Sequence, residues 1–389
     1  MKKKISFIVD RSSSGGAMIA ASRIKKNLRK NFEVDCLYSK ERNYYEKLKI
    51  LISKFISKLF IKERTYLNSL NLFSRLNIEK SKSDLINIHW IGNEIVSLND
   101  LINTKKKIIW TMHDLWPLTS TEHFLINTKK KNYQLKDTKN NFLKKKIFIN
   151  KKKLFSNKNI FLVSNSKWLE SFAKKSELTK NVKIRTIYNP IETNFWRRRE
   201  IFSSMASLGL NIKKKYILFG AQGGVNNPRK GGELFLNSIQ HLNNDLDNLE
   251  IIILGGSRNY IDKIYGIKCH FRELEKDKKK QLLYHSISST TVSASKAESL
   301  PQFIVETILC KNPVATFNIG GINEIVTHKK NGYISNKISP ISLANAISYC
   351  LSSINKKYLT VSENKLRKMF NEKKIANEYK KLINEFYKK

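Results

Sequence analysis

Residues Ser293 to Ser335, SASKAESLPQFIVETILCKNPVATFNIGGINEIVTHKKNGYIS, decide how this chain is read. They open in a short strand, Thr290 to Ala294, of small and β-branched residues. A polar turn follows, then an apolar-periodic helix from Pro301 to Cys310. Pro301 suits the first turn of that helix, where a missing N–H is no loss. Two carboxylates bracket the helix start: Glu298 in the loop at the carboxyl end of the strand, and Glu306 in the helix. In an open α/β sheet that end of the strands is where ligands bind. A helix amino terminus offers N–H groups and partial positive charge, a seat for phosphate. A carboxylate accepts two hydrogen bonds from a diol. Taken singly, either Glu would read as a solvated acid; together in this setting they read as a phosphate-and-sugar site.

The order of motifs narrows this further. Glu298–x7–Glu306 is followed by Asn312-Pro313-Val314, then Gly320-Gly321-Ile322-Asn323-Glu324-Ile325-Val326, then Asn331-Gly332-Tyr333. This string resembles the donor-site region of retaining glycosyltransferases of the GT-B fold, the large family usually numbered four. Lys311 stands where that family usually has Gly, at a position expected to face solvent before a strand. The resemblance implies that Glu306 holds the ribose hydroxyls and Glu298 the donor sugar. It also implies that the backbone through Ser299, Leu300, Pro301 and Gln302 lies against the diphosphate.

The 389 residues suffice for two α/β domains, and a hydrophobic content of 41% supports globular cores. Cys36, Cys269, Cys310 and Cys350 form no CxxC pair and read as thiols of a reducing compartment, without a disulfide framework or zinc site. Lys2-Lys3-Lys4 runs straight into a first strand, so no signal peptide is expected, and no run of 18 apolar residues occurs. The net charge of +41 favours anionic partners, whether membrane surfaces, nucleic acids or phosphorylated substrates. Much of it is Lys in a chain also rich in Asn and Ile, which is as consistent with codon bias as with a binding surface.

KISFIVD at residues 4–10 reads as a buried strand, followed by Ser12-Ser-Ser-Gly15-Gly16-Ala17 and a helix from Met18 to Arg29. Only Gly15-Gly16 of a GxGxxG fingerprint is present, so a nucleotide-linked oxidoreductase is a minor alternative. In the resembling family this turn lies on the acceptor side. Residues 44–62, YYEKLKILISKFISKLFIK, form an amphipathic helix with Leu48, Leu51, Ile52, Phe55, Ile56 and Leu59 on one face and Lys47, Lys54, Lys58 and Lys62 on the other. Such a helix either packs on the core with a solvated Lys face or lies in a membrane interface.

Strands Asp84 to His89 and Lys107 to Thr111 come next. The string Trp110-Thr-Met-His113-Asp-Leu-Trp-Pro-Leu-Thr119 is similar to the family's active-site histidine segment, which implies that His113 contacts the donor sugar. Relatives often carry a cysteine cluster soon after; TSTEHFLINTKKKNYQ has none, so no metal is expected there. His123 is expected at the surface, and His89 ends a strand without an assigned role. Residues 126–158, dense in Lys and Asn, read as a solvated helix–loop–helix or a mobile segment. Strands Asn159 to Val163 and Val182 to Ile187 follow, and Tyr188-Asn189-Pro190-Ile191 resembles the family's interdomain link.

The second half opens with strand Lys215 to Gly220 and the loop Ala221-Gln-Gly-Gly-Val-Asn-Asn-Pro228-Arg229-Lys230-Gly231-Gly232. Its glycines let backbone approach an anion, and Arg229 and Lys230 add fixed positive charge at a helix start. GxxxxGK[ST] is absent; the order instead matches the family's diphosphate clamp. Asp245-Leu-Asp247 mimics a metal-binding DxD, but at the amino end of strand Glu250 to Leu254 it reads as a surface turn. A strand at Ile267 to Phe271, helices at 278–286 and 341–351, and one long basic helix from about Glu363 complete the chain.

The reading is therefore a GT-B fold: two Rossmann-like domains facing across a cleft, an acceptor-side domain at 1–190 and a nucleotide-sugar domain at 191–370, with a terminal helix at 371–389 returning to the first. The expected activity is retaining transfer of a sugar from a nucleotide sugar to a hydroxyl of a growing, lipid-linked or free, surface glycan. The catalytic candidates are His113, Glu298 and Lys230. Donor-binding candidates are Arg229, Lys230, Glu298, Ser299, Leu300, Pro301, Gln302 and Glu306, with Gly15 and Gly16 on the acceptor side. No metal or cofactor is expected. The expected location is cytoplasmic, at an anionic membrane surface or free of it. A GT-B sugar-nucleotide epimerase is the alternative. A nucleic-acid-binding protein rests on charge alone, with no base-reading motif.

Overall fold

The computed structural model describes residues 2–9, 15–37, 43–61, 68–125, 134–138, 141–156, 159–242 and 246–387. Ser12, Lys62 and Asp245 lie outside these residues. The chain divides into two compact units, Met1–Pro190 with Glu372–Lys389, and Ile191–Asn371.

In the first unit, apolar β-rich runs form strands β1 (Lys4–Ile8), β2 (Glu33–Leu37), β3 (Leu85–Ile88), β4 (Lys107–Met112), β5 (Ile160–Ser164) and β6 (Lys183–Thr186). They pair in parallel, in the order β2-β1-β3-β4-β5-β6. Alternate side chains go to opposite faces. Ile5, Phe7, Leu85, Ile109, Phe161 and Val163 pack on one face with helix residues Ile24, Leu28, Ile375 and Tyr379. Ile86, Ile88, Ile108, Trp110 and Leu162 pack on the other with Phe148, Leu154 and Leu169. The helices are α1 (Gly16–Leu28), α2 (Tyr44–Phe60), α3 (Leu98–Asn103), α4 (Phe142–Phe155) and α5 (Lys167–Lys175).

The second unit holds α6 (Ile201–Ser207), α7 (Gly232–Ile239), α8 (Lys278–Ile287), α9 (Gln302–Leu309), α10 (Ile322–Ile325), α11 (Pro340–Ser352) and α12 (Lys356–Met369). Its strands are β7 (Lys215–Gly220), β8 (Leu249–Gly256), β9 (Tyr260–Ile264), β10 (Ile267–Glu273), β11 (Ser288–Ser293), β12 (Val314–Phe317) and β13 (Gly332–Ser335), in the order β13-β12-β11-β7-β8-β10-β9. All pairs are parallel except β9 with β10. That hairpin turns on Tyr265 and Gly266, both at positive φ, the two-residue turn that matches strand twist. Strand order reverses between β7 and β11, as it does between β1 and β3 in the first unit. These are the switch points at which α/β sheets bind ligands.

Two expectations are corrected. The single terminal helix is two, because α12 ends at Met369 and α13 (Glu372–Tyr387) restarts after Asn371, which bridges to Ile191. α13 packs beside α1, and its Tyr379 hydroxyl meets Thr111 Oγ1 at 3.1 Å. Residues 142–155 are not a solvated segment: Ile147, Phe148, Leu154 and Phe155 are buried. Of the two readings left open for the amphipathic helix α2, core packing holds for Ile56, while most of its apolar face is turned outward. Its buried residues are Ile50 and Ser53, while Leu51 and Phe55 are 61% and 62% exposed.

Candidate active site

The switch point of the second unit brings together the loop after β7 and the loop after β11. Lys296 N–H donates to the Arg229 carbonyl at 2.8 Å, tying one loop to the other. Gly231 takes φ +69, and a Cβ there would overlap the Ala294 carbonyl oxygen. This is why Lys230 is followed by glycine: only without a side chain can the start of α7 lie so close to the β11 loop.

Across this junction Arg229 Nη1 donates to Glu298 Oε1 at 2.9 Å and to the Ala297 carbonyl at 2.9 Å. Lys230 Nζ binds the same carboxylate oxygen, and Ser295 Oγ reaches it at 3.3 Å. Burial pushes the Glu298 carboxyl up, but Lys230 and Arg229 outweigh that and hold it at about 2. Burial, with Arg229 close by, lowers the Lys230 ammonium, against the pull of Glu298. Two cations on one carboxylate leave the trio with one unit of positive charge. Such a group is fixed in place before any anion arrives.

The loop continues through Ser299 and Leu300, both buried, to Pro301, which stands at the N-cap of α9 rather than inside its first turn. Among the described residues no side chain caps this end and no acid sits in its first turn, which suits the helix's positive end to an anion. Gly321 N–H donates to the Ser299 carbonyl at 2.7 Å, and a Cβ on Gly320 would overlap the Glu298 carbonyl oxygen. The Gly320-Gly321 pair thus braces the backbone that carries Glu298. Glu306 is buried in the second turn of α9. Its charge, after burial itself, helps push the Cys310 thiol up to about 12.

The other motif residues are structural. Asn312 Nδ2 donates to Ser288 Oγ at 3.1 Å and to the His285 carbonyl. Asn331 accepts from Thr327 N–H at 2.6 Å and donates to the Ile325 carbonyl at 3.0 Å. Lys311 does not merely lead into a strand. It adopts φ +58, its N–H bonds Ile308, and Asn312 N–H bonds Thr307, the two-bond helix stop that favours glycine.

In the first unit His113 follows β4 at the carboxyl edge of the sheet. Its Nε2 lies 2.8 Å from Nδ1 of His89, the residue after β3, and the rings are nearly parallel at 24°. Burial lowers His113 to about 4, against the nearby Asp114, and burial with His113 close by holds His89 well below the ordinary imidazole value. His123 is buried, not a surface residue: its Nδ1 meets Asp114 Oδ2 at 2.6 Å and its Nε2 meets Ser69 Oγ at 2.8 Å. Gly15 caps α1 and Gly16 is its first residue, with Met18 N–H bonding the Gly15 carbonyl.

Sequence reasoning missed His89 and a buried ionic group beside His123. Lys144, 1% exposed, pairs with Glu122 at 2.7 Å. Lys151, fully buried, donates to the Trp116 and Thr119 carbonyls and lies 3.4 Å from the Trp116 ring centroid. The signal was present. Lys144, Ile147, Phe148, Lys151, Leu154 and Phe155 fall on one helical face, so both lysines share the apolar stripe. Among the described residues no three His, Cys, Asp or Glu side chains converge to hold a metal, and no helix is long and apolar enough to cross a membrane.

Residues 201–373 match the family of glycosyl transferases group 1. No curated protein matches the chain in sequence. Among solved structures, the fold is similar to sucrose-phosphate synthase from Thermosynechococcus elongatus, with TM-score 0.72, 15% identity and 99% of each chain covered. It is also similar to Anabaena HepE in complex with UDP-glucose, with TM-score 0.64 and 14% identity over 98% of this chain and 99% of that one. A glycosyltransferase from Rickettsia africae gives TM-score 0.64 and 15% identity over 100% and 99%. The chain thus has two Rossmann-like halves, the fold shared by the GT-B glycosyltransferases, and carries a glycosyl transferases group 1 domain in the second of them.

Proposed function

We propose that the enzyme moves a sugar from a nucleotide-sugar donor to a hydroxyl of a growing surface glycan, with retention at the anomeric carbon. The observation that carries this is the Arg229–Lys230–Glu298 trio at the switch point, beside the uncapped start of α9 and the buried Glu306. The anomeric C–O bond to the diphosphate breaks, and the acceptor oxygen bonds the same carbon on the same face. The hydroxyl proton passes to the departing phosphate oxygen. Charge grows on that phosphate as the bond breaks, and Lys230, Arg229 and the backbone of Ser299 to Gln302 are prepositioned to stabilise it. No metal is needed in this scheme. Glu306 accepts from the ribose hydroxyls, Glu298 orients the sugar, His113 lies against the sugar, and Gly15 and Gly16 line the acceptor side. HepE is complexed with UDP-glucose, which makes a uridine-linked sugar the first donor to try.

A lipid-linked acceptor would make attachment to the inner face of the cell membrane useful, and α2 supplies an outward apolar face with Lys47, Lys54 and Lys58 exposed around it. A panel of nucleotide sugars, read by released diphosphate with and without acceptor, tests the reaction class. Release only with an acceptor supports transfer; conversion of the donor without one points to an epimerase. With the donor so found, Lys230→Ala should lower turnover by about 100-fold, the scale of losing one prepositioned donor. Turnover within twofold of wild type would place the diphosphate elsewhere.

A further inference from the structure

We propose that His89 is a positioning residue for the transfer reaction, holding the His113 ring in the tautomer that carries its proton on Nδ1; this rests on the reading of His113 as a sugar-contacting residue. His89 is itself pinned. Its N–H donates to the Ile8 carbonyl at 3.1 Å, so the end of β3 is locked to the end of β1 at the switch point. Its ring lies between Phe7, at 5.4 Å and 21°, and His113, at 5.1 Å and 24°. It is 2% exposed, and its Nε2 has no hydrogen-bond partner among the described residues.

The tautomer follows from proton counting. Nδ1 of His89 and Nε2 of His113 face each other at 2.8 Å, and one proton must lie between them. Both rings sit where burial disfavours the cation, so each carries a single proton. If His113 donated from Nε2, the one proton of His89 would sit on its Nε2, as a buried N–H with no acceptor. If His89 donates from Nδ1, its Nε2 is a bare lone pair. Orphaned buried N–H groups are rarer and costlier than under-used acceptors. His89 therefore donates, His113 Nε2 accepts, and the His113 proton is on Nδ1. His113 is then a neutral ring in one fixed orientation, with its proton on Nδ1.

Nitrogen-15 ring shifts of the full-length protein decide this directly. The expected result is a neutral His113 protonated on Nδ1; a His113 protonated on Nε2 in the wild type overturns the proposal, whatever any variant does. His89→Phe keeps the ring against Phe7 but removes the donor, while His89→Asn puts an amide nitrogen near the Nδ1 position. His89→Phe should free the His113 tautomer and lower kcat by about tenfold, on the scale of one neutral hydrogen bond, with KM for the donor unchanged. His89→Asn should restore both. His113→Phe separates the two readings. If it leaves turnover intact, the role given to His113 fails; if it abolishes turnover while His89→Phe shifts neither tautomer nor kcat, His89 is only part of the core.

Discussion

Helices α2 and α4 both carry lysines and apolar residues at helical spacing, and they settle on the first unit in opposite senses. α4 turns its apolar stripe inward and takes two lysines in with it. α2 turns Leu51, Phe55 and Leu59 outward and is held by polar contacts. Ser53 Oγ donates to Glu94 at 2.7 Å, Lys49 Nζ to the Ser74 carbonyl at 2.8 Å, and Glu46 pairs with Arg75 at 3.6 Å. Asn93 and Glu94 both take positive φ, an uncommon pair of left-handed non-glycine residues that carries Glu94 beneath the helix. A hydrophobic stripe thus defines a face but not its direction. What the neighbouring loops offer decides. Beneath α4 there are Glu122 and two carbonyls to receive ammonium groups; beneath α2 there are Glu94 and the Ser74 carbonyl.

The largest expected effect breaks the α4 side of this comparison. Lys144→Met takes the cation at 2.7 Å from the buried Glu122 carboxylate, leaving the weaker pull of buried Lys151, and should destabilise the first unit by about 3–5 kcal/mol in urea unfolding. Adding Glu122→Gln to Lys144→Met removes that stranded charge and should recover part of the loss. Equal losses in the single and double variants would mean that side-chain volume, not charge, holds α4.

A smaller effect sharpens the comparison through pH. Burial raises the Glu94 carboxyl above the ordinary 4.5, despite bonds from Phe73, Ser53 and Asn71. Burial also acts on Glu122, but Lys144 and its hydrogen bonds outweigh it and hold that group below 4.5. The signs are opposite. Glu122 contributes stability that is present above pH 4.5 and lost as pH falls through its folded value. Glu94 imposes a cost at neutral pH that is relieved as pH falls through its folded value. Each unit of difference from 4.5 corresponds to about 1.4 kcal/mol. Carbon-13 carboxyl shifts should place the Glu94 midpoint above 4.5 and the Glu122 midpoint below it. A common midpoint would remove the electrostatic distinction between the two helices.

The same limits run through the rest of the chain. Strands were legible because buried parallel strands are continuous apolar runs, and the loops after β7 and β11 were legible because glycines and polar residues cluster there. That Lys230 and Arg229 share one oxygen of Glu298 was not, since 68 residues separate Lys230 from Glu298 and only the sheet order brings them together. His89 and His113 are 24 residues apart and meet for the same reason. The β9–β10 hairpin hid because Tyr265-Gly266 is a weaker turn signal than Asn-Gly. The break between α12 and α13 falls at Phe370-Asn371, with neither glycine nor proline to mark it.

The smallest expected effect on stability belongs to α2, and it carries the most about where the enzyme works. Leu51→Ser, Phe55→Ser and Leu59→Ser all change side chains that are more than half exposed, so each should shift unfolding by no more than about 0.5 kcal/mol. If the apolar face belonged to the core, the same three changes would unfold the first unit. The proposed occupant of this outward face has to fit both leucine and lysine. A second copy would set lysine against lysine in a chain of charge +41, which argues against self-association. An anionic bilayer accepts the apolar side chains among its headgroups, and each Lys near it adds about 1 kcal/mol. Flotation with vesicles containing anionic phospholipid should therefore carry the wild-type protein upward. It should release it at high salt and fail with the triple Ser variant, which remains folded. Wild-type protein that ignores anionic vesicles, or a triple variant that still floats, would show that this face serves something other than the membrane.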